Sequence, residues 1–282
     1  MPDGTEVEWN IDTLANVARM LTVDAKGYSA AEAEFDPKTI EQYGYSTMFN
    51  SARGLGTLFG AGSVVGDDGK AQIPDVWRDA WAWYHDGIFG KQPFMPSEQV
   101  ASTDEWGSGN PFQTGKIAMF NMHLWYIPCC LGDIVKNWGI GAVPSYKGNI
   151  TAKLHADNFR IMETTKHPEE AFNVMLYLTN ERGAELLQIY GGMPARQADQ
   201  DAFFKTFTAA YPDDISWATV VSALSHADVP SHESNMPNFA EGNARIATFS
   251  SLLQSTPDLD LNAEIDKLQA DLQAIFDRAK GA

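Results

Sequence analysis

Amphipathic helices alternate along this chain with apolar runs too short to be helices, and that alternation confines it to α/β or α+β architecture. The C-terminal stretch "LDLNAEIDKLQADLQAIFDRA" places Leu261, Ile265, Leu268, Leu272, Ile275 and Phe276 on one helical face. Near the start, "WNIDTLANVARML" does the same with Ile11, Leu14, Ala15, Ala18 and Leu21, behind Asn10 as a cap. Pro74 opens "PDVWRDAWAWYHDG", where Trp77, Ala80, Trp81 and Tyr84 fall at helical spacing and read as core. Pro168 sits in the first turn of a helix whose Phe172, Met175 and Leu176 share a face, and Gly191-Gly192 closes the next helix. Between these lie the strand candidates: "QYGYS", Ile117–Phe120, part of "WGIGAVPSYKG" and the residues around "NFRI", with Asp68-Gly69 marking a hairpin turn.

The 282 residues suffice for one large domain or two ordinary ones. A net charge of −17, from 37 acidic against 20 basic residues, argues against nucleic acid or anionic lipid as partner. No run approaches the ~18 apolar residues of a membrane span. The opening "MPDGTEVEWN" has neither a basic n-region nor an apolar h-region, so no signal peptide is visible. Cys129 and Cys130 are neighbours within apolar "IPCCLG", which predicts two buried thiols.

Catalytic signatures such as G-x-S-x-G, a P-loop or H-E-x-x-H do not occur. The cluster "SHADVPSHES" offers His226, Asp228, His232 and Glu233, donors suited to zinc, yet Pro230 breaks any shared helical face. A metal-dependent or glycoside-processing enzyme built on that cluster is therefore the alternative reading.

Binding fits the residues better. In "FQTGKIAMFNMHLW", the strand Ile117–Phe120 is followed within five residues by Asn121, His123 and Trp125. Sugars present hydroxyls that need donors and acceptors, and C–H faces that lie on aromatic rings. An amide, an imidazole and an indole beyond a strand end supply that mixture, although a tryptophan there can equally cover a core.

Four stretches, in order, resemble the extracellular solute-binding proteins of ABC transporters, family 1, which include sugar- and maltose-binding proteins. They are "VEWNIDTLANVARMLTVDAKG", "NPFQTGKIAMFNMHLW", "WGIGAVPSYKG" and "TTKHPEEAFNVMLYLTNERGAELLQIYGGMPAR". The resemblance implies a type II periplasmic-binding-protein-like α/β fold with two hinged lobes. It implies a carbohydrate, most simply an oligosaccharide, held in the cleft without catalysis, metal or cofactor. Its partners would be membrane permease subunits, its state monomeric, and its parent extracytoplasmic and often a lipoprotein.

By position, the resemblance makes Trp125 the sugar-stacking residue, with His123-Leu124 where the family usually has Gly-Pro. Asn50 and Arg53 fall in a cleft-lining segment, Asp157 and Asn158 at the crossing between lobes, Gly192 and Met193 in a ligand-approaching loop, and Asn238 and Phe239 where relatives offer an aromatic. Trp125 is expected to line a concavity with at least one of Asn50, Asp157 or Asn158. The sequence starts almost at the family's Trp-led helix, so it reads as the C-terminal part of a receptor. Residues 1–157 open the second lobe, 158–201 return to the first, and 202–282 close the second. The returning segment is then expected to be helical but under-buried over residues 161–190.

Overall fold

A computed structural model describes residues 5–48, 52–60, 62–131, 135–211, 215–228 and 236–280. In chain order its elements are helix α1 (Ile11–Leu21), strands β1 (Val23–Asp24) and β2 (Ile40–Thr47), and helices α2 (Ala52–Phe59), α3 (Asp75–Phe89) and α4 (Glu98–Ala101). Strand β3 (Ile117–Asn121) follows, then helices α5 (Tyr126–Cys130), α6 (Pro168–Leu176), α7 (Gly183–Tyr190), α8 (Gln197–Thr208), α9 (Trp217–Ala223), α10 (Phe239–Ser255) and α11 (Leu261–Lys280). They form two compact units. One comprises Met1–Met122, Ala142–Lys153 and Ala223–Ala282, the other His123–Gly141 and Leu154–Ser222.

The first unit carries the sheet, in the order β1-β2-β3. β1 runs antiparallel to β2, while β3 pairs parallel with β2 in a register that sets Tyr43 beside Ile117, Tyr45 beside Met119 and Thr47 beside Asn121. Helix α1 begins as its sequence requires: the Asn10 side chain accepts from Thr13 N at 2.9 Å, and Ile11, Leu14, Ala15 and Ala18 are buried. Its last turn lies directly on β2 at Gly44, where any Cβ would stand 1.8 Å from the Ala18 carbonyl oxygen. Thr22 locks this junction, its hydroxyl donating to Ala18 O and accepting from Gly44 N.

Helices α2, α3, α10 and α11 enclose the main core. Trp77 and Trp81 are fully buried at right angles to each other, and Trp81 also meets Phe249 at 4.7 Å between ring centres. The Trp81 indole N–H is satisfied by the Ala52 carbonyl at 2.7 Å, so its burial strands no polar group. From α11, Ile265, Leu268, Leu272 and Phe276 are all within 1% of full burial, the stripe expected from the tail sequence. Each such side chain contributes about 1.5–3 kcal/mol of transfer free energy. The hairpin predicted at Asp68-Gly69 forms, and its backbone donates to Gln273 and Gln269 of α11.

Two strand expectations are not met. Part of "WGIGAVPSYKG" is extended, but its one link to an element start is the Asn10–Ser145 bridge, with Ile11 N donating to Ser145 O. Residues around "NFRI" form no strand, and Phe159, Ile161 and Met162 are exposed. Apolar character alone suggested both, but a strand needs a neighbour to take its backbone hydrogen bonds.

The second unit is helical. Its buried aromatic centre is Phe203 and Phe207 of α8, parallel within 16° and 5.1 Å apart, with Trp217 edge-on to Phe207. Gln188 of α7 donates to Phe203 O and ties α7 to α8. Helices α6 and α7 bury no residue outright: Phe172, Val174, Leu176, Leu186 and Ile189 are exposed, the last at 71%. The segment 161–190 is thus under-buried, as its sequence implied, with helix from Pro168 onward.

The expectation of two buried thiols is corrected. Cys129 and Cys130 form a disulfide, with Cys129 exposed and Cys130 half-buried. Tyr126 and Ile127 take the buried side of the five-residue α5, which turns Pro128 and Cys129 outward.

Candidate ligand-binding site

The stretch that suggested binding straddles the boundary between the units, so its residues fall into two separate clusters. In the second unit, Trp125 stands immediately before α5, and α5 packs on the end of α7. Gly191 makes that packing possible. It ends α7 in the left-handed conformation (φ +77), its N–H donating to Leu187 O, and a Cβ there would stand 2.6 Å from Pro128 Cγ and 3.2 Å from Trp125 Cα. The close approach brings the Tyr190 ring parallel to the Trp125 indole, 7° between planes and 6.3 Å between centres.

Polar groups border this aromatic pair. The Tyr190 hydroxyl has its pKa raised, by burial first and by the nearby Asp157 carboxylate second. It therefore stays a phenol, a donor, throughout the neutral range. On the other side His123 stacks toward Trp125, 6.1 Å between centres, and lies 4.1 Å from the ring of His155. Trp125 is half-buried while Tyr190 and His155 are exposed, so ring surface remains open to solvent.

Asp157 thus reaches the platform, and its neighbour Asn158 does not contribute freely. Asn158 Oδ1 accepts from Arg160 Nε at 3.1 Å. Gly192 and Met193 follow the α7 turn and are half-buried. Gly192 has no room for a side chain, since a Cβ would lie 2.7 Å from the Tyr190 ring.

The first unit holds the remaining candidates. Asn121 ends β3 opposite Thr47, and its carbonyl accepts from Met48 N. Its side-chain Oδ1 is buried and has no hydrogen-bond partner among the described residues. Arg53 is a buried cation on α2, 4% exposed, with its guanidinium 5.8 Å from the centre of the half-exposed Phe239 ring. Asn238 adopts left-handed backbone before α10 and donates to Glu241, so its amide serves the helix start. Asn50 lies outside the described residues, as do His232 and Glu233. His226 ends a short 3-10 turn, and Asp228 is buried with its N–H on Ala152 O. Among the described residues no three His, Cys, Asp or Glu side chains are grouped to hold a metal ion.

Sequence reasoning missed Tyr190 and His155. Tyr190 had a readable signal, an aromatic immediately before Gly191-Gly192. His155 had none, because a 32-residue separation from His123 carries no periodicity.

The short mixed sheet and surrounding helices have the α/β fold of the type II periplasmic binding proteins. Solved structures of this fold similar to the chain include UspC of M. tuberculosis, at 22% identity and TM-score 0.67, matching 97% of this chain and 68% of that one. The maltose/maltodextrin-binding domain MalE of Bdellovibrio bacteriovorus, bound to maltotriose, superposes with TM-score 0.66 at 15% identity, over 99% of this chain and 68% of its own. The maltotriose binding protein of Thermus thermophilus, also bound with maltotriose, gives 0.60 at 17% identity, over 95% and 66%. No protein-family model matches the sequence, and no curated protein does.

Proposed function

We propose that this chain is the carbohydrate-binding component of an ABC importer, taking an oligosaccharide without chemical change. The observation that carries the reading is the Trp125–Tyr190 pair with Asp157 at its edge. A parallel aromatic surface suits the C–H face of a pyranose, and a carboxylate beside it accepts from ring hydroxyls. Two solved proteins of the same fold hold maltotriose, which makes a glucose oligomer the first ligand to try.

Residues 158–201 would belong to the first lobe. Ligand contacts from both lobes would bias closure. The working protein would be an extracytoplasmic monomer that docks on membrane permease subunits.

The test is incubation with maltotriose, with calorimetry for binding and chromatography for products. Heat of binding with the trisaccharide recovered intact supports the proposal. Shortened sugars that disappear on His226→Ala would favour the alternative, hydrolysis through the His226–Glu233 cluster.

A further inference from the structure

From Leu154 to Met162 the chain runs without helix, turn or bend, and every residue of this strap is exposed. Among the described residues, no backbone N–H or C=O between Ala156 and Ile161 has a hydrogen-bond partner. The side chains are nonetheless those of a strand. Phe159 and Ile161 are β-formers, and Phe159 and Met162 stand 56% and 68% exposed. Unpaired backbone groups beside exposed apolar side chains make an open template for another strand.

We propose that this strap pairs antiparallel with the same strap of a second copy, about a two-fold axis at Phe159. Side chains opposite each other in an antiparallel pair share a face, so a two-fold axis sets one residue opposite itself. An axis at Asp157 or Arg160 would set like charges face to face, which is destabilising. One at Asn158 sets Asp157 against Phe159, and one at Ile161 sets Glu163 against Phe159, a carboxylate on a ring each time. With the axis at Phe159 the two rings meet, Asn158 lies opposite Arg160 of the other copy, and His155 lies opposite Glu163. Asn158 and Arg160 already bond within one chain at 3.1 Å, so the pair exchanges that contact across the axis. Asp157 falls opposite Ile161 and, being exposed, keeps its carboxylate in water. A strap of this length buries less than the ~1,200 Å² of stable complexes, so the pair is transient and the dilute protein remains the monomer of the carbohydrate reading.

The test uses the full chain. Sedimentation velocity should show monomer at low micromolar concentration and a reversible dimer as the concentration rises to hundreds of micromolar. Phe159→Lys, which sets two ammonium groups face to face, should weaken the dimer at least several-fold, whereas Phe159→Tyr keeps a ring and should retain it. Disulfide trapping in a Cys129→Ser/Cys130→Ser background reads the register. Opposed Cα atoms stand about 4.5–5.5 Å apart, within the span of a disulfide, so Phe159→Cys should give a covalent dimer and Asn158→Cys should not. If that background does not fold, hydrogen exchange on the parent decides, because the amides of residues 156–161 should gain protection as the concentration rises. Monomer at every concentration, a dimer that Phe159→Lys leaves intact, or trapping at residue 158 but not at 159 would overturn the proposal. No sugar enters these measurements, so they stand apart from the carbohydrate reading.

Discussion

Replacing Gly191 with alanine should separate the two helices that build the aromatic platform. Two costs add. An L-residue at φ +77 pays about 1–2 kcal/mol for the left-handed conformation. The new methyl also meets Pro128 Cγ at 2.6 Å and Cδ at 2.8 Å, and such overpacking costs about 1–3 kcal/mol. The expected loss is about 2–5 kcal/mol in the unit that contains α7. Gly148 provides the comparison: its φ is +79, but nothing lies within 4 Å of its added Cβ, so alanine there should cost only about 1–2 kcal/mol. Urea transitions followed by circular dichroism, each read on the transition of the unit concerned, give both numbers. Gly191→Ala should also shift tryptophan emission to the red, because the methyl presses on both Pro128 and the Trp125 backbone at the start of α5. If Gly191→Ala costs no more than Gly148→Ala, the proline contact carries no energy and the reasoning fails.

Further outcomes can be measured on the same protein. Asp24 is buried, and burial pushes its carboxyl up, but N–H donation from Asp36, Tyr28 and Lys26 outweighs this and holds it below the ordinary value of 3.8. A depressed folded value means its stabilisation is complete above the ordinary range and lost as pH falls through the folded one, so Asp24→Asn should destabilise at neutral pH and flatten the acid limb of a pH–stability curve below about pH 4. Trp81→Phe removes the donor to the buried Ala52 carbonyl and should cost about 1–3 kcal/mol by urea denaturation. Ile189→Lys places a charge at a site already 71% exposed; sedimentation velocity should show less self-association with unchanged helicity.

Patterns repeated along a helix were the legible part of this fold. Ile265, Leu268, Leu272 and Phe276 recur on one face of α11 and are all buried, and Asn10 caps α1 as its chemistry demands. The strand ending at Asn121 could be read because glycine precedes it and its apolar run is short. "NFRI" misled because a strand depends on a partner elsewhere in the chain. The cysteines misled because "IPCCLG" says nothing of which way a single helical turn faces. At the site, Trp125 was marked by its place after a strand, whereas Tyr190 reaches it only through the turn at Gly191. That approach is tertiary, and no local spacing records it.

The central claim is that Trp125 is the anchor for an unmodified oligosaccharide. Millimolar affinity, a modest value for a sugar, corresponds to about −4 kcal/mol. Loss of a stacked aromatic anchor costs about 1–3 kcal/mol beyond that, enough to push the curve out of reach. The measurement is a calorimetric titration with maltotriose into the tens of millimolar, on the parent and on Trp125→Ala, with circular dichroism to show that both are folded. The account predicts a saturable, millimolar response in the parent that is absent or displaced at least several-fold in the variant when followed by calorimetry. Identical calorimetric curves for the two proteins, or no response in either, would contradict it.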